Sequence, residues 1–205
     1  MRGAEAVARA VAAVREGEPV VIPTDTVYGL ACDPHREDAV RRLSELKRRS
    51  PEQPIALVAA TVETLLELLP GLDGRSTTLV RSLLPGGFTL VLPNPARRFP
   101  WLAGARPETL GVRVPDLSGV AAAFFSQVAA VAATSANLHG GPDPRRLADV
   151  PEEIRAGVAA LLDAGELPGA PSTVVDLTQA EPQVLREGAV SREETLARVR
   201  AVLRE

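Results

Sequence analysis

Cysteine is almost missing from this 205-residue chain: Cys32 stands alone, so no internal disulfide can form, and the composition suits a reducing compartment. Histidine is nearly as scarce, and His35, His139 and Cys32 do not make a set of zinc ligands. No run of about 18 apolar residues is present to span a membrane, and the amino terminus, Met-Arg-Gly-Ala-Glu-Ala, lacks the apolar core of a secretory signal. The expectation is a cytoplasmic protein without membrane contact. A formal net charge of -3 denies it a field that attracts nucleic acid, so any anion site must be local. Aromatic residues are only 3% of the chain and are not interleaved with basic ones, which argues against a single-strand RNA surface. Neither G-x-x-x-x-G-K-[ST] nor a helix-opening G-x-G-x-x-G occurs, which removes P-loop NTPases and Rossmann dehydrogenases by motif.

Lysine is the most telling scarcity. Among 23 basic residues only Lys47 is not arginine, and it falls in Lys47-Arg48-Arg49-Ser50-Pro51, shortly after Pro23-Thr24-Asp25-Thr26-Val27-Tyr28-Gly29-Leu30, which holds the one tyrosine. Arginine and lysine are not interchangeable at a tight anion site, so a lysine that survives such a bias is a candidate ligand. Its bland alternative is a solvated helix end, complementing the helix dipole and contributing only about 0.3–1 kcal/mol.

In chain order, Val7, Ala10, Val11 and Val14 mark one stripe of a helix over 4–16 that Gly17 can end. Val20-Val21-Ile22 is a short β-branched strand that stops at Pro23 and delivers Thr24-Asp25-Thr26 to its end. Asp25 is either a general base or an Asx turn holding Thr26. Asp33-Pro34 opens a helix through Leu46 that carries Lys47 and Arg49 at its C-terminal end. Further strands are expected at 55–60, 90–92, 110–115, 128–133, 170–177 and 184–188. Helices are expected at 62–69, 76–84, 117–127 and 151–162, with a last one opened by a Ser191/Glu194 capping box. The segment 93–107, rich in Pro and Arg, is a long loop of the kind that is either a lid or surface padding. Ser135, His139 and Asp143 share one turn-rich loop without the strand-turn-helix setting of a nucleophile elbow.

Helices alternating with buried apolar strands predict an α/β fold with a twisted mixed sheet and flanking helices, in one domain over 1–205. Hydroxyls and cations recur at the strand ends: Thr24, Thr26, Thr134, Ser135, Ser172 and Thr173 beside Lys47, Arg49, Arg113 and Arg186. That combination suits a phosphate or carboxylate ligand. Arg113 sits inside an apolar run, where a guanidinium needs an anion, either a core carboxylate or a ligand.

With these residues assembled, the sequence resembles the YrdC-like family of L-threonylcarbamoyladenylate synthases (the Sua/YciO/YrdC type) from about Val7 to Ser191. The blocks that carry the resemblance, in order, are Pro-Thr-Asp-Thr-Val-Tyr-Gly-Leu at 23–30, Lys-x-Arg at 47–49, Pro-Gly-x-Phe-Thr-Leu-Val-Leu at 85–92 and Val-Arg-Val-Pro at 112–115. Ser-Ala-Asn at 135–137, Ser-Thr-Val-Val-Asp at 172–176 and Leu-Arg-x-Gly at 185–188 complete them. The resemblance implies a YrdC-like domain enclosing a positively lined cavity. It also implies joining of L-threonine, bicarbonate and ATP into threonylcarbamoyl-AMP with release of pyrophosphate, for a partner transferase complex that modifies tRNA, with a weak tRNA contact.

By the same resemblance, Lys47 and Arg49 are the catalytic cations. Thr26, Arg113, the main chain at Ala133, and Ser172 form the threonine side of the site. Lys47, Arg49, Gln53, Thr109, Ser135, Asn137, Asp143 and Arg186 form the ATP side. No metal is held by the protein itself, and magnesium is expected through the ATP phosphates. Val58 stands where some relatives carry a His near the threonine, and Glu187 interrupts a Leu-Arg-Pro-Gly pattern. A nucleotide-binding paralogue without the activity, or an RNA-binding module, is the alternative.

Overall fold

A computed structural model describes residues 2–204. The first helix, α1 (Arg2–Glu16), leads to strands β1 (Val20–Ile22) and β2 (Gly29–Cys32). There follow α2 (Glu37–Leu46), β3 (Ala56–Ala59), α3 (Val62–Leu68), α4 (Gly74–Leu83), β4 (Phe88–Pro93) and β5 (Thr109–Arg113). The second half comprises α5 (Gly119–Phe125), β6 (Ala130–Ser135), α6 (Glu152–Ala156), β7 (Ala160–Leu161), β8 (Thr173–Asp176), β9 (Gln183–Arg186) and α7 (Arg192–Val202). Among the described residues, nine strands form one mixed sheet in the order β7-β1-β2-β6-β3-β5-β4-β8-β9. The α/β sheet with flanking helices is therefore present as the sequence predicts.

Strand periodicity divides the sheet into two faces. Leu30, Leu57, Leu90, Leu92, Leu110 and Val112 point to one face and join residues of α2, α3, α4 and α7 in the larger core. Each fully buried side chain of this size contributes about 1.5–3 kcal/mol. On the other face, the α1 stripe of Val7, Ala10, Val11 and Val14 packs with Phe124 and Phe125 of α5 over Val20, Ile22, Ala31 and Val131. That second layer covers only one end of the sheet.

Several boundaries differ from the sequence reading, each for a local reason. The carboxylate of Asp33 accepts the amide of His35 at 2.8 Å, forming a turn, so α2 starts at Glu37 rather than at Pro34. The helix expected over 151–162 stops at Ala156 with Gly157 as its cap, and Ala160–Leu161 pairs in parallel with Val20–Val21. The β2 strand was folded into the 23–30 motif and missed as an element; Gly29 and Cys32 frame it, and it joins β1 to β6. Ser191 does accept the amide of Glu194 at 3.2 Å, but the Glu194 carboxylate turns to Arg198 instead of closing the box.

The segment 93–107 is pinned rather than loose. A 3-10 turn, Pro100–Leu102, buries Leu102 completely, and Trp101 Nε1 donates to the carbonyl of Pro34 at 2.8 Å. Gly104 has φ +62, and a Cβ there would lie 2.3 Å from the carbonyl oxygen of Glu52, so glycine is required where this segment meets the chain after Arg49.

Candidate functional site: an arginine-lined cavity on the half-covered sheet

Toward β3, β5, β4 and β8 the face beneath α1 and α5 carries no helix and instead floors a cavity of about 440 Å³. Because side chains alternate, Ala56 and Val58 of β3, Thr109, Gly111 and Arg113 of β5, and Ala133 and Ser135 of β6 all point into it. Arg49, Arg106, Arg113 and Arg186 line it, against one carboxylate, Glu52.

Arg113 is 8% exposed at the inner end of this cavity. Its Nη2 donates to Thr26 Oγ1 at 2.8 Å and to the carboxylate of Asp25. Asp25 also accepts the amide of Asp116 at 3.1 Å, so it is neither the Asx turn nor the free base considered from sequence. The turn is made by Thr24, whose Oγ1 accepts the amides of Thr26 and Val27 at 3.2 and 3.3 Å. Burial lowers the Arg113 pKa, Asp25 opposes this, and the charge of Arg186 adds to it. Arg113 Nε is buried and has no acceptor.

Arg49 repeats the pattern across the cavity. Its Nη1 donates to Thr134 Oγ1 at 3.0 Å and its Nη2 to the carbonyl of Pro54 at 2.7 Å, while Nε is buried without an acceptor. Burial and the nearby Arg186 lower its pKa. Arg186 is anchored through Nη2 to the carbonyl of Ser172 at 2.8 Å, and Ser172 Oγ shares a hydrogen bond with Thr89 Oγ1 at 2.7 Å. Glu187 turns away: its carboxylate accepts the amide of Arg192 at 3.1 Å, at the start of α7.

Lys47 is not the solvated helix end that the sequence allowed. It caps α2, but it is only 3% exposed, and it lies behind the cavity wall rather than on its lining. Its ammonium donates to the carbonyls of Ser135 and Asn137 at 2.5 and 2.7 Å and to Asn137 Oδ1 at 2.6 Å. Ser135 Oγ donates to the same Oδ1 at 2.7 Å, and Asn137 Nδ2 donates to the carbonyl of Gly141 at 2.6 Å. Lys47 thus ties down the end of β6, and burial is the main cause of a pKa lowered to about 8.

Of the residues expected on the threonine side, Arg113, Ala133 and Ser172 line the cavity, while Thr26 stands just behind it on Arg113. Of those expected on the nucleotide side, Arg49, Thr109, Ser135 and Arg186 line it. Asn137 lies in the layer behind with Lys47. Gln53 and Asp143 are not part of the lining; Gln53 Nε2 reaches His139 Nε2 at 3.5 Å, and Asp143 acts on Lys47 only through its charge. Ser135, His139 and Asp143 form no proton relay, because the Ser135 hydroxyl is committed to Asn137.

Thr24 and Thr134, two of the strand-end hydroxyls, also line the cavity, whereas sequence reasoning missed Glu52, Arg106 and Leu185. The arginine-rich 93–107 segment was the one signal for Arg106, which pairs with Asp176 at 2.9 Å. Among the described residues, no group of three or more His, Cys, Asp or Glu could hold a metal ion. Also among the described residues, no helix is long and apolar enough to cross a membrane.

Sheet order, half-covered face and arginine-lined cavity together define an α/β protein of the YrdC-like type. The chain belongs to the Sua5/YciO/YrdC family, whose sequence model, described as telomere recombination, matches residues 12–188. It is 32% identical over 189 residues to a threonylcarbamoyl-AMP synthase of Bacillus subtilis, covering 92% of this chain and 55% of that protein. It is 36% identical over 185 residues to a putative threonylcarbamoyl-AMP synthase of Mycobacterium tuberculosis, covering 90% and 84%. The chain therefore spans about half the length of the first and most of the second. Among solved structures, Pyrococcus abyssi Sua5 complexed with L-threonine matches with a TM-score of 0.84 at 33% identity, covering 94% of this chain and 56% of that one.

Proposed function

We propose that this chain is an L-threonylcarbamoyladenylate synthase. The observation that carries the reading is the set of arginines, Arg49, Arg106, Arg113 and Arg186, that lines one cavity against a single carboxylate, Glu52. Guanidinium groups that outnumber the carboxylates of a cavity are stabilised by an anionic ligand, and several of them suit one that carries both a carboxylate and phosphates. Relatives at 32–36% identity bearing the synthase name, and the similar structure solved with L-threonine, support the same reading.

On this reading Arg113 holds the carboxylate of L-threonine. The amine takes up the carbon of bicarbonate, expelling water, to give a carbamate. A carbamate oxygen then bonds to the α-phosphorus of ATP, the bond to the bridging oxygen breaks, and pyrophosphate leaves with that electron pair. Such chemistry needs no protein nucleophile; it needs two anions oriented against their repulsion and a leaving group stabilised. Arg49 and Arg186 supply the cations on the nucleotide side. Ser135 and Thr109 offer hydroxyls to the nucleotide, and Lys47 holds the Ser135–Asn137 turn in place. Magnesium accompanies the phosphates of the nucleotide, and the product passes to a transferase acting on tRNA.

The test is pyrophosphate release by the purified protein with ATP and magnesium, which requires L-threonine and bicarbonate together. Release that ignores threonine sinks the proposal. A nucleotide-binding member without this reaction is the second reading, favoured by Val58, an apolar residue directly in register with Arg113. ATP binding without threonine-dependent turnover would select it.

A further inference from the structure

The cavity floor is organised in rows across the strands. Val58 and Arg113 are register partners, as are Val91 and Gly111, Ala56 and Ala133, Pro93 and Thr109, and Gly29 and Ser135. Arg113 and Val58 therefore make an inner row, and Thr109 and Ser135 an outer one. The row between them holds Gly111, Ala56 and Ala133. Successive rows are two residues apart, about 6.6 Å. The middle row is where a ligand bridging the two polar rows must cross.

Gly111 lies in the interior of β5 with alternating neighbours, and its φ is outside the region that favours glycine. An ideal Cβ there would have Thr89 Cγ2 and Ala56 Cα as its nearest heavy atoms, at 3.8 and 3.9 Å, ordinary contacts. The fold thus has room for a Cβ at this position, and glycine weakens a strand interior. Independently, Arg113, two residues further along the same strand, lines the same cavity and is itself only 8% exposed.

We propose that Gly111, with Ala56 beside it, is the seat of the reacting centre: the planar carbamate lies against bare backbone there while its oxygen reaches the α-phosphorus. The inference rests on the synthase reading and adds to it a positioning surface that forbids a side chain. A methyl group at 111 occupies the space of the carbamate but leaves the carboxylate site at Arg113 and the phosphate site at Arg49 and Arg186 open.

The experiment compares wild type with Gly111→Ala and Gly111→Val by thermal melting, by threonine-dependent pyrophosphate release, and by calorimetry with L-threonine and ATP separately. For Gly111→Ala, Tm is expected to hold within about 2 °C or rise, since the Cβ makes only ordinary contacts. The value of kcat/KM is expected to fall about 10-fold for Ala and about 100-fold or more for Val, as steric exclusion from a shaped site does. The affinity for each ligand alone changes far less. A folded Gly111→Val variant turning over like wild type overturns the seat while leaving the synthase reading standing. Equal loss of threonine and ATP affinity in both variants also overturns it, because the position would then be a general wall. A wild-type protein with no threonine-dependent turnover fails the synthase reading itself.

Discussion

Arg113 and Asp25 form an ion pair at the inner end of the cavity, and their side chains are 10% and 13% exposed. The sequence offered a core carboxylate and a ligand carboxylate as alternatives for Arg113. The structure contains the first and still leaves Nε without an acceptor. Removing one member of a buried pair strands the other, at about 3–5 kcal/mol. Arg113→Ala and Asp25→Ala should therefore both lower the denaturation midpoint. Arg113→Lys keeps the charge and loses the fork, so calorimetry should show threonine affinity falling at least about 10-fold with ATP affinity much less affected. Threonine affinity preserved in Arg113→Lys would remove the carboxylate from this residue.

Lys47 should matter to stability as well as to binding. An exposed helix end would tolerate Lys47→Ala, but here the change strands the carbonyls of Ser135 and Asn137, while Asn137 Oδ1 keeps the Ser135 hydroxyl, so a loss of roughly 2–4 kcal/mol is expected from chemical denaturation. Lys47→Arg should fail to rescue it, since a planar fork does not match three converging oxygens. A Lys47→Ala protein as stable as wild type would restore the solvated-end view.

The same residue predicts a pH dependence. With its pKa lowered to about 8 by burial, Lys47 binds fewer protons folded than unfolded between about 8 and its ordinary value of 10.5. Its contribution to unfolding free energy therefore rises with pH across that window, and the cost of burying the ammonium is fully present below it. The difference in denaturation midpoint between wild type and Lys47→Met should grow in favour of wild type from pH 8 to 10. A difference that stays flat or shrinks contradicts the assignment.

Arg186 and Glu187 are adjacent but face different tasks. Arg186→Ala should weaken ATP binding with little change in Tm, because its side chain is exposed and anchored mainly to Ser172. Glu187→Ala should cost about 1 kcal/mol by removing an acceptor at the start of α7, and it should leave ATP affinity unchanged. Tighter ATP binding in Glu187→Ala would mean that the carboxylate does oppose the phosphates.

Most of the sheet was legible because β-branched runs such as Val20–Ile22 and apolar runs such as Ala56–Ala59 are bounded by proline or polar turns. The two-residue β7 was not, since a run that short carries no periodicity and Gly157 reads equally well as a helix end. In the site, Arg113 was legible as a cation in an apolar strand. Its link to Asp25 was not, because 88 residues separate them and only the strand order brings them together. Lys47 was singled out by rarity, yet its direction, inward onto Ser135 and Asn137, depends on the register of β6 against β2 and on the turn after α2.

The layer of helices that stops partway across the sheet leaves a core unfinished until something fills it. An occupant of the cavity then supplies packing and charge neutralisation that elsewhere in the molecule come from α1 and α5, and it does so only for the folded state. Stability becomes a function of ligand concentration: at a hundred times its dissociation constant, a ligand adds about 2.7 kcal/mol. The melting temperature of this protein is thus a titration readout, and threonine and nucleotide supplied together should raise it by more than the sum of their separate shifts if each completes the part of the layer against which the other packs.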